Sequence, residues 1–340
     1  MVRAASSATL KGHLVAGTSQ LTLLDSEVDE IDALLTEVTA RHPAVDDTGF
    51  LLAAESLAHG LPVRVRAHLA ACRAQERPLF AVAGWRVGDG TLGPTPGDWQ
   101  AAWRNNGPGR AGPTHRHQVL LMLAASLVGD PFALSSAQEG HMVNHIVPIA
   151  GAEGHVSAAS STSVLTWHTE EAGFRFRPDH LAFACLRNPQ QVPTTVGLAS
   201  DLVLDPEVEQ VLRQPLFGMP QVGSAGRVEY GPVLYGSADR PYLSADSVYM
   251  TPAPGDGSAA QALTALAAAV DAAARPFTAR PGDLYFLDNH QVVHGRPAFV
   301  PRYDGSDRWL LRVKVARDLR GSRAYRGGAA ARVIDFDQLG

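Results

Sequence analysis

The segment VLTWHTE, residues 164–170, is rich in β-branched and aromatic side chains and lies between turn-forming residues, a pattern that predicts a β-strand. Side chains two residues apart on a strand point to the same face. His168 and Glu170 therefore direct an imidazole nitrogen and a carboxylate oxygen to one point, as two ligands of a metal ion would. Because a single His-x-Glu occurs often by chance, the interpretation needs support from the rest of the chain.

The expected third ligand lies far along the chain, in Val292-Val293-His294-Gly295-Arg296. Two histidines and one carboxylate form the facial triad of non-haem iron sites, which leaves three positions open on the metal. Those positions suit a chelating cosubstrate such as 2-oxoglutarate together with dioxygen. The sequence therefore predicts an iron centre held by His168, Glu170 and His294.

A later segment, Arg308-Trp309-Leu310-Leu311-Arg312-Val313-Lys314-Val315, supports this interpretation. If it is a strand, Arg308 and Arg312 share one face, with Leu310 between them. Guanidinium groups bind carboxylates through two parallel hydrogen bonds. Because 2-oxoglutarate and an amino-acid substrate both carry a carboxylate, the paired arginines predict two carboxylate sites beside the iron.

Helical patterns dominate the first part of the chain, and strand patterns dominate the rest. Helices are predicted over residues 25–42, 62–73, 117–128, 206–213 and 259–274, and strands over residues 143–149, 163–169, 180–186, 283–287 and 309–316. Residues 88–114, crowded with Gly, Pro and Asn, are predicted to form an extended loop. This order indicates an α+β protein with an antiparallel, barrel-like β core.

The predicted domain organisation is simple. Residues 1–20 are expected to be a flexible tail, and residues 21–340 a single domain. Within that domain, residues 21–130 are expected to form a mainly helical flank and residues 131–320 the β core with helical inserts.

The composition argues against several other classes of protein. A net charge of −5 gives no basic surface for nucleic acid or for an anionic membrane. The N-terminus lacks the continuous apolar run of a signal peptide, and the longest apolar stretch, residues 119–128, is about half the length of a membrane span. Two cysteines cannot form a disulfide framework. We expect a soluble, cytoplasmic protein with no nucleic-acid or membrane partner, and the sequence leaves its oligomeric state open.

Taken together, the motifs resemble those of the clavaminate synthase-like Fe(II)- and 2-oxoglutarate-dependent oxygenases, a group that includes arginine, asparagine and lysine hydroxylases of antibiotic biosynthesis. The resemblance covers roughly residues 25–320. The motifs that carry it are His168-Thr169-Glu170, Leu186-Arg187-Asn188, Thr194-Thr195-Val196, the segment from Asp283 to Asn289, His294-Gly295-Arg296, Arg308 and Arg312. It implies a distorted jelly-roll core (a double-stranded β-helix) with flanking helices. It also implies Fe(II), 2-oxoglutarate and O2 as cofactor and cosubstrates.

The resemblance further implies roles for single residues at the cosubstrate end of the site. The metal ligands are the catalytic residues His168, Glu170 and His294. Arg308 is expected to bind the far carboxylate of 2-oxoglutarate. A threonine helps it, and the sequence leaves open whether that is Thr194 or Thr195.

At the substrate end, the resemblance implies that Arg312 faces the substrate carboxylate and that Gln138 helps to hold the substrate backbone, with Glu170 beside them. Asp246 matches an acidic residue that receives the polar side chain of the substrate. The arginine hydroxylases tend to carry a second acid two residues later, where this chain has Val248. The resemblance therefore implies one cationic or amide group against Asp246 rather than a guanidinium held by two carboxylates.

Other histidines compete for the role of metal ligand. His290 is the nearest alternative to His294, but the Gly295-Arg296 pair that follows His294 belongs to the motif. The remaining histidines with ligand-like spacing are predicted to be structural, in capping or surface positions for the first pair and on a strand for the second: His115 and His117, His141 and His145.

The predicted function is hydroxylation of an unactivated C–H bond, at the β or γ carbon, of a free polar L-amino acid. The amino acid is expected to be basic, arginine- or lysine-like, and the pathway to make a specialised metabolite such as an antibiotic. Glu170 indicates hydroxylation rather than halogenation, because a halide site requires a small residue in place of the carboxylate ligand. The alternatives are the same iron chemistry on a carrier-bound or amide or ureido amino acid, a desaturation or cyclisation, and a non-catalytic metal-binding β-barrel sensor.

Overall fold

The computed structural model describes residues 18–105, 112–155, 159–220 and 227–335, and its elements alternate as an α+β protein requires. The helices are α1 (Asp25–Arg41), α2 (Thr48–Ala58), α3 (Val63–Ala74), α4 (Asp89–Leu92), α5 (Trp99–Asn105), α6 (His115–Ser126), α7 (Pro206–Leu212) and α8 (Gly257–Ala273). None of the described helices has both the length and the apolar character that a membrane span requires.

The strands fall mainly in the second part of the chain. They are β1 (Ser19–Thr22), β2 (Leu79–Ala83), β3 (Asp130–Leu134), β4 (Asn144–Ile146), β5 (Leu165–His168), β6 (His180–Arg187), β7 (Thr194–Leu198), β8 (Phe217–Pro220), β9 (Val228–Gly231), β10 (Leu234–Gly236), β11 (Pro241–Leu243), β12 (Thr251–Pro252), β13 (Arg275–Phe277), β14 (Leu284–Asp288), β15 (Val292–Arg296), β16 (Trp309–Ala316) and β17 (Val333–Ile334).

Two sheets form the centre of the protein. The larger, eight-stranded sheet has the order β1-β2-β14-β6-β16-β3-β17, with β4 also paired to β16. The smaller, four-stranded sheet has the order β13-β7-β15-β5, and all its pairs are antiparallel. Mixed helices and sheets confirm the predicted α+β class.

The larger sheet is covered on both faces, because successive residues of a strand point to opposite sides. On β14, Leu284 and Phe286 belong to the core shared with the helices. Tyr285 and Leu287 belong instead to a second core shared with Val196 of β7 and other residues of the smaller sheet. The two sheets therefore pack face to face, and the helices cover the outer face of the larger one.

Most predicted elements are confirmed. Helices occur where the periodicity predicts them, as α1, α3, α6, α7 and α8, and strands as β4, β5, β6, β14 and β16. The signal is clearest where apolar residues continue through the element, as along α1, α8 and β14.

The N-terminal part differs from the prediction in several places. The helix α2 is not predicted, and α4 and α5 lie within the predicted loop over residues 88–114, because clusters of Gly and Pro mask short helices. Residues 106–111 of that loop lie outside the described residues. The predicted tail lies outside them as far as residue 17, but Ser19 and Gln20 belong to β1. The helical flank thus contributes β1 and β2 to the larger sheet.

One close approach between strands brings the predicted metal ligands together. The pairing of β15 with β5 shifts register just after His294, so that Arg296 pairs with Leu165. A Cβ atom on Gly295 would lie 2.5 Å from the carbonyl oxygen of Leu165. Only glycine allows the two backbones to come this close.

Replacing Gly295 by Ala is expected to lower the free energy of unfolding by about 2 kcal/mol and to weaken metal binding, because a backbone carbonyl must move to make room. The control is Gly231→Ala on β9, where an added Cβ meets nothing within 4 Å. Chemical denaturation of the metal-free variants measures the difference. Equal free energies of unfolding for the two variants would show that β5 and β15 can move apart at Gly295 without a loss of stability.

Candidate active site

The predicted metal ligands meet where β5 and β15 pair. His294 is directly opposite His168 in the antiparallel ladder, and the centroids of the two imidazole rings are 4.5 Å apart. Glu170 follows β5 and completes the group. One ligand atom from each of the three residues lies within 4.8 Å of the others. In the described part of the chain, this is the group of metal-binding side chains with suitable geometry.

The two oxygens of Glu170 face different partners. Oε2 lies 3.8 Å from Nε2 of His168 and 3.9 Å from Nε2 of His294. Oε1 lies 2.7 Å from Nη1 of Arg312 and 3.3 Å from Nζ of Lys314. Burial opposes ionisation of this carboxyl, but Arg312 and Lys314 hold its pKa well below the usual range. Glu170 is therefore a carboxylate at neutral pH, as a metal ligand must be.

The two histidines differ in protonation. Burial opposes a charge on His168, but the hydrogen bond and the charge of Glu170 raise its pKa, so a metal ion that binds there displaces a proton. Nδ1 of His168 lies 2.9 Å from the carbonyl oxygen of Thr166 and can donate to it, which leaves Nε2 to face Glu170 and His294. Burial lowers the pKa of His294 to about 3, with a further contribution from His168. A neutral imidazole is the form that binds a metal ion.

A buried amide fixes the backbone of Glu170. Oδ1 of Asn289 accepts a hydrogen bond from the backbone N–H of Glu170 at 2.8 Å, and Nδ2 of Asn289 donates to its carbonyl at 2.9 Å. Nδ2 also donates to the carbonyl of Pro178 at 2.8 Å. Asn289 lies in the loop between β14 and β15, so the loop before His294 is tied directly to the residue that carries the carboxylate.

The triad lies in the wall of a cavity of about 260 Å³. Arg308, Leu310 and Arg312 also line this cavity, which confirms that they share one face. Other walls are apolar or aromatic: Ile146, Leu165, Phe183 and Tyr285. The predicted iron ligands, two guanidinium groups and apolar walls thus line one cavity.

Arg308 is a buried cation without an acidic partner in the described part of the chain. Its side chain is only 8% exposed, and its Nε has no hydrogen-bond partner. Burial lowers its pKa, which the Tyr285 phenol and the Cys185 thiol offset only in part. An unpaired buried charge is costly, so this guanidinium calls for an anionic ligand.

Of the two candidate threonines, Thr194 lines the cavity and Thr195 does not. Thr194 Oγ1 lies 3.4 Å from the hydroxyl of Tyr285, and the phenol of Tyr285 interacts electrostatically with Arg308. Thr195 pairs with Gly295 and Pro276 in the smaller sheet. Thr194, at the start of β7, is therefore the threonine that shares the cavity with Arg308.

Asp246 also lines the cavity, next to the metal ligands. Its backbone forms an isolated bridge with His168. Oδ1 accepts hydrogen bonds from the backbone N–H groups of Val248 and Tyr249, at 2.8 and 2.9 Å. Oδ1 of Asp246 thus stabilises the turn that Asp246 begins. Val248 and Tyr249 are exposed and line the cavity as well.

Gln138 is not among the described residues that line the cavity. Its side-chain oxygen accepts from the backbone N–H of His145, and its Nε2 donates to the carbonyl of His145, both at 2.9 Å. These bonds orient β4, in which Asn144 accepts a hydrogen bond from Nη2 of Arg312 at 3.3 Å. A direct contact between Gln138 and the substrate stays a prediction.

The competing histidines have other partners. His290 lies near the carboxylate of Asp179, the hydroxyl of Tyr235 and the guanidinium of Arg177, outside the triad. His145 contacts Trp309 on β16, as a structural residue would. His115 and His117 are buried, so a surface position is wrong for them. Nε2 of His115 lies 2.8 Å from the carbonyl oxygen of His42 at the end of α1, and His117 accepts a hydrogen bond from Trp85.

Two residues of the site are not identified by the sequence patterns. Lys314 contacts Glu170, and its position two residues after Arg312 could have indicated a third inward-facing cation. Asn289 is part of a recognised motif, but its contact with Glu170 joins distant segments and leaves no local signal.

The residues present fit Fe(II) and 2-oxoglutarate. Two imidazoles and one carboxylate are the donor set of a facial triad. The buried guanidinium of Arg308, which has no acidic partner in the described ranges, is placed to receive a carboxylate in the same cavity.

Comparison with known proteins points to the same chemistry. The family model of the taurine catabolism dioxygenase TauD, TfdA family matches residues 231–314. The enduracididine beta-hydroxylase of Streptomyces hygroscopicus is 35% identical over 344 residues, which cover 92% of this chain and 99% of the relative. The L-ornithine/L-arginine 3-hydroxylase of Catenulispora acidiphila is 31% identical over 333 residues, or 88% and 95% of the two chains. The chain belongs to the clavaminate synthase-like Fe(II)- and 2-oxoglutarate-dependent oxygenases.

A solved structure supports the cofactors of this oxygenase. The non-haem iron oxygenase OrfP in complex with Fe and α-ketoglutaric acid has a TM-score of 0.84 and 36% identity, over 93% of this chain and 99% of that chain. Other OrfP structures hold L-Arg, or succinate with (3S)-hydroxy-L-Arg. The predicted Fe(II), 2-oxoglutarate and O2 are confirmed for the oxygenase as a member of this family.

The geometry predicts which histidine the metal needs. His294→Ala is expected to raise the Kd for Fe(II) more than about 100-fold, beyond the usual effect of losing an outer-shell partner, and to abolish turnover. Similar losses are expected for His168→Ala and Glu170→Ala. The control is His290→Ala, which should bind Fe(II) within a few-fold of the native protein. Anaerobic titration calorimetry measures the four constants, and near-native binding by His294→Ala would refute the assignment.

Proposed function

We propose that this oxygenase hydroxylates the β or γ carbon of a free basic L-amino acid, arginine- or lysine-like, in the biosynthesis of a specialised metabolite. The observation that carries this proposal is the position of Asp246. Its carboxylate lines the same cavity as the triad and the two arginines, in a turn bridged to His168. A cavity with arginines and an acid suits a ligand with a carboxylate and a cationic group.

The proposed roles follow from the contacts around the cavity. His168, Glu170 and His294 hold the iron, and Arg308 with Thr194 holds the far carboxylate of 2-oxoglutarate. When bound, Fe(II) and 2-oxoglutarate supply the oxidising power: the cosubstrate loses CO2 to give succinate, and one atom of O2 enters the substrate C–H bond. The chain's own contribution is to bind, orient and exclude water.

Arg312 is proposed to bind the α-carboxylate of the substrate. Nη1 and Nη2 contact Glu170 and Asn144, while its buried Nε has no partner in the described part of the chain. Gln138 supports this role through β4, because its amide holds the backbone of His145. The apolar walls, including Phe183 and Leu310, keep water from the reacting carbon.

The distal group of the substrate is proposed to meet Oδ2 of Asp246. Because Oδ1 is occupied by two backbone N–H groups, one oxygen remains for the ligand. A bidentate grip on a guanidinium needs both oxygens or a second acid, and Val248 supplies neither. The proposal is therefore an enzyme that accepts ammonium and guanidinium side chains with limited discrimination between them. The enduracididine and ornithine/arginine hydroxylases, whose names describe basic amino acids, support this substrate class.

We also assign the two facing sheets to a distorted jelly roll, or double-stranded β-helix. The support is the antiparallel order of the smaller sheet and its face-to-face packing on β14, β6 and β16. The cytoplasmic location and the absence of nucleic-acid partners stay predictions from the sequence.

Substitution of each of the two arginines is expected to change a different kinetic constant. Arg308→Ala should raise KM for 2-oxoglutarate by roughly ten- to a hundredfold, the effect of losing a charge-assisted hydrogen bond, with a much smaller change in KM for the amino acid. Arg312→Ala should do the reverse, with an additional loss of kcat because Arg312 also contacts Glu170. Steady-state assays of succinate release measure both constants. Equal effects of both variants on both ligands would contradict the assignment.

A panel of free L-amino acids tests the substrate class. Succinate release is expected with arginine, ornithine and lysine, and Asp246→Asn should lower kcat/KM for all three by roughly ten- to a hundredfold. Val248→Asp, which restores a second acid, should raise kcat/KM for arginine relative to lysine. Robust turnover of aliphatic or acidic amino acids, with none for basic ones, would refute the role of Asp246.

A further inference from the structure

Lys314 is a buried cation beside the metal ligands for which the proposed reaction has no use. Its side chain is only 2% exposed, as a core residue would be. In the described ranges its ion pairs are with Glu170, 3.3 Å from Nζ to Oε1, and with Glu171, 3.6 Å from Nζ to Oε1. It is not among the described residues that line the cavity. Its ammonium therefore serves the carboxylates and not a ligand in the cavity.

Arg312 differs from Lys314 in this respect. Both contact Oε1 of Glu170, at 2.7 and 3.3 Å, but only Arg312 also lines the cavity. An arginine that binds a substrate carboxylate has fewer donors left for Glu170. Lys314 remains as the partner of Oε1 whatever the cavity holds.

The burial of Lys314 needs a compensating contribution. Removing an ammonium from water carries a large free-energy cost, which only good pairing offsets. Glu171 is partly exposed and lies farther from Nζ than Glu170, so it offsets less of this cost. The pairing with Glu170 is the larger contribution, and it places two cations on one oxygen of a metal ligand.

We propose that Lys314 is a positioning residue of the iron site, which holds Oε1 of Glu170 so that Oε2 alone is presented to the metal. A carboxylate can bind a metal ion through one oxygen or through two. Ligation through two would occupy one of the three positions that 2-oxoglutarate and O2 require. With Oε1 held by Lys314, Oε2 already faces Nε2 of both histidines at 3.8 and 3.9 Å.

Two effects of Lys314 on metal affinity have opposite signs. Its charge repels a cation, whereas its contact with Glu170 aligns the ligand. Alignment is expected to prevail, because Nζ contacts the carboxylate directly and lies on the oxygen that faces away from the two imidazoles. Outer-shell partners of metal ligands typically contribute 10- to 100-fold to affinity.

The test is anaerobic calorimetry with Fe(II) alone and metal-free protein. Lys314→Met, which removes both charge and donor, is expected to raise the Kd by about 10- to 100-fold. Lys314→Gln, which keeps an N–H donor and removes the charge, should lose less. Glu171→Gln, the control that removes the other partner of Lys314, should bind within about twofold of the native protein. If Lys314→Met does not fold, Lys314→Gln against Glu171→Gln decides. Tighter Fe(II) binding by the Lys314 variants, or equal loss in Glu171→Gln, overturns the proposal.

A spectroscopic measurement separates positioning from simple structural support. Infrared difference spectra, metal-bound minus metal-free, report whether a carboxylate binds through one oxygen or two by the separation of its stretching bands. The native protein should show binding by one oxygen of Glu170, and Lys314→Met should show a shift toward binding by two. An unchanged band separation overturns the proposal.

Repeating the titration with L-arginine present tests the proposed substrate separately. If L-arginine makes the loss of Fe(II) affinity in Lys314→Met larger, Arg312 is shared between Glu170 and the substrate carboxylate. If the loss of affinity is unchanged, Arg312 is not shared in this way, and the result with Fe(II) alone still stands.

Discussion

The site depends on the antiparallel register between β5 and β15. This register puts His168 opposite His294, and the glycine after His294 lets the two backbones approach closely enough for both imidazoles to face one carboxylate. The bulge that follows ends the regular pairing just beyond the ligands. The rest of the fold maintains this arrangement. The larger sheet packs against the smaller one through a shared apolar core, and the helices cover the opposite face of the larger sheet.

Charge is concentrated on one face of a single segment. Arg308, Arg312 and Lys314 alternate with apolar residues along β16 and the residue before it, so that the inward face of one strand carries three cations. Two of them contact Glu170, and the third has no acidic partner in the described part of the chain. Buried cations must be paired, so this face imposes an anionic content on the cavity. The carboxylate of Glu170 meets part of that requirement, and the guanidinium of Arg308, unpaired among the described residues, leaves a site suited to a further anion.

Much of this could be predicted from spacing alone. Residues two apart on a strand share a face, which is sufficient to group His168 with Glu170 and Arg308 with Arg312. Strong periodicity also identifies helices such as α1 and α8. The signal fails for short elements: β2 is apolar throughout because both its faces are buried, and a short apolar run does not distinguish a strand from a helix.

The sequence by itself therefore determined which groups are available for the chemistry: local spacing groups His168 with Glu170 and Arg308 with Arg312, the motif around His294 supplies a second imidazole, and the family resemblance adds Asp246. The tertiary structure decided which of several candidate residues lie at the site. It brings Thr194 to the cavity in place of Thr195, turns His290 toward Asp179, uses Gln138 to hold the backbone of His145, and buries Lys314 against Glu170. Such choices depend on strand register and on charge pairing between segments distant in the chain, and neither leaves a trace in local spacing.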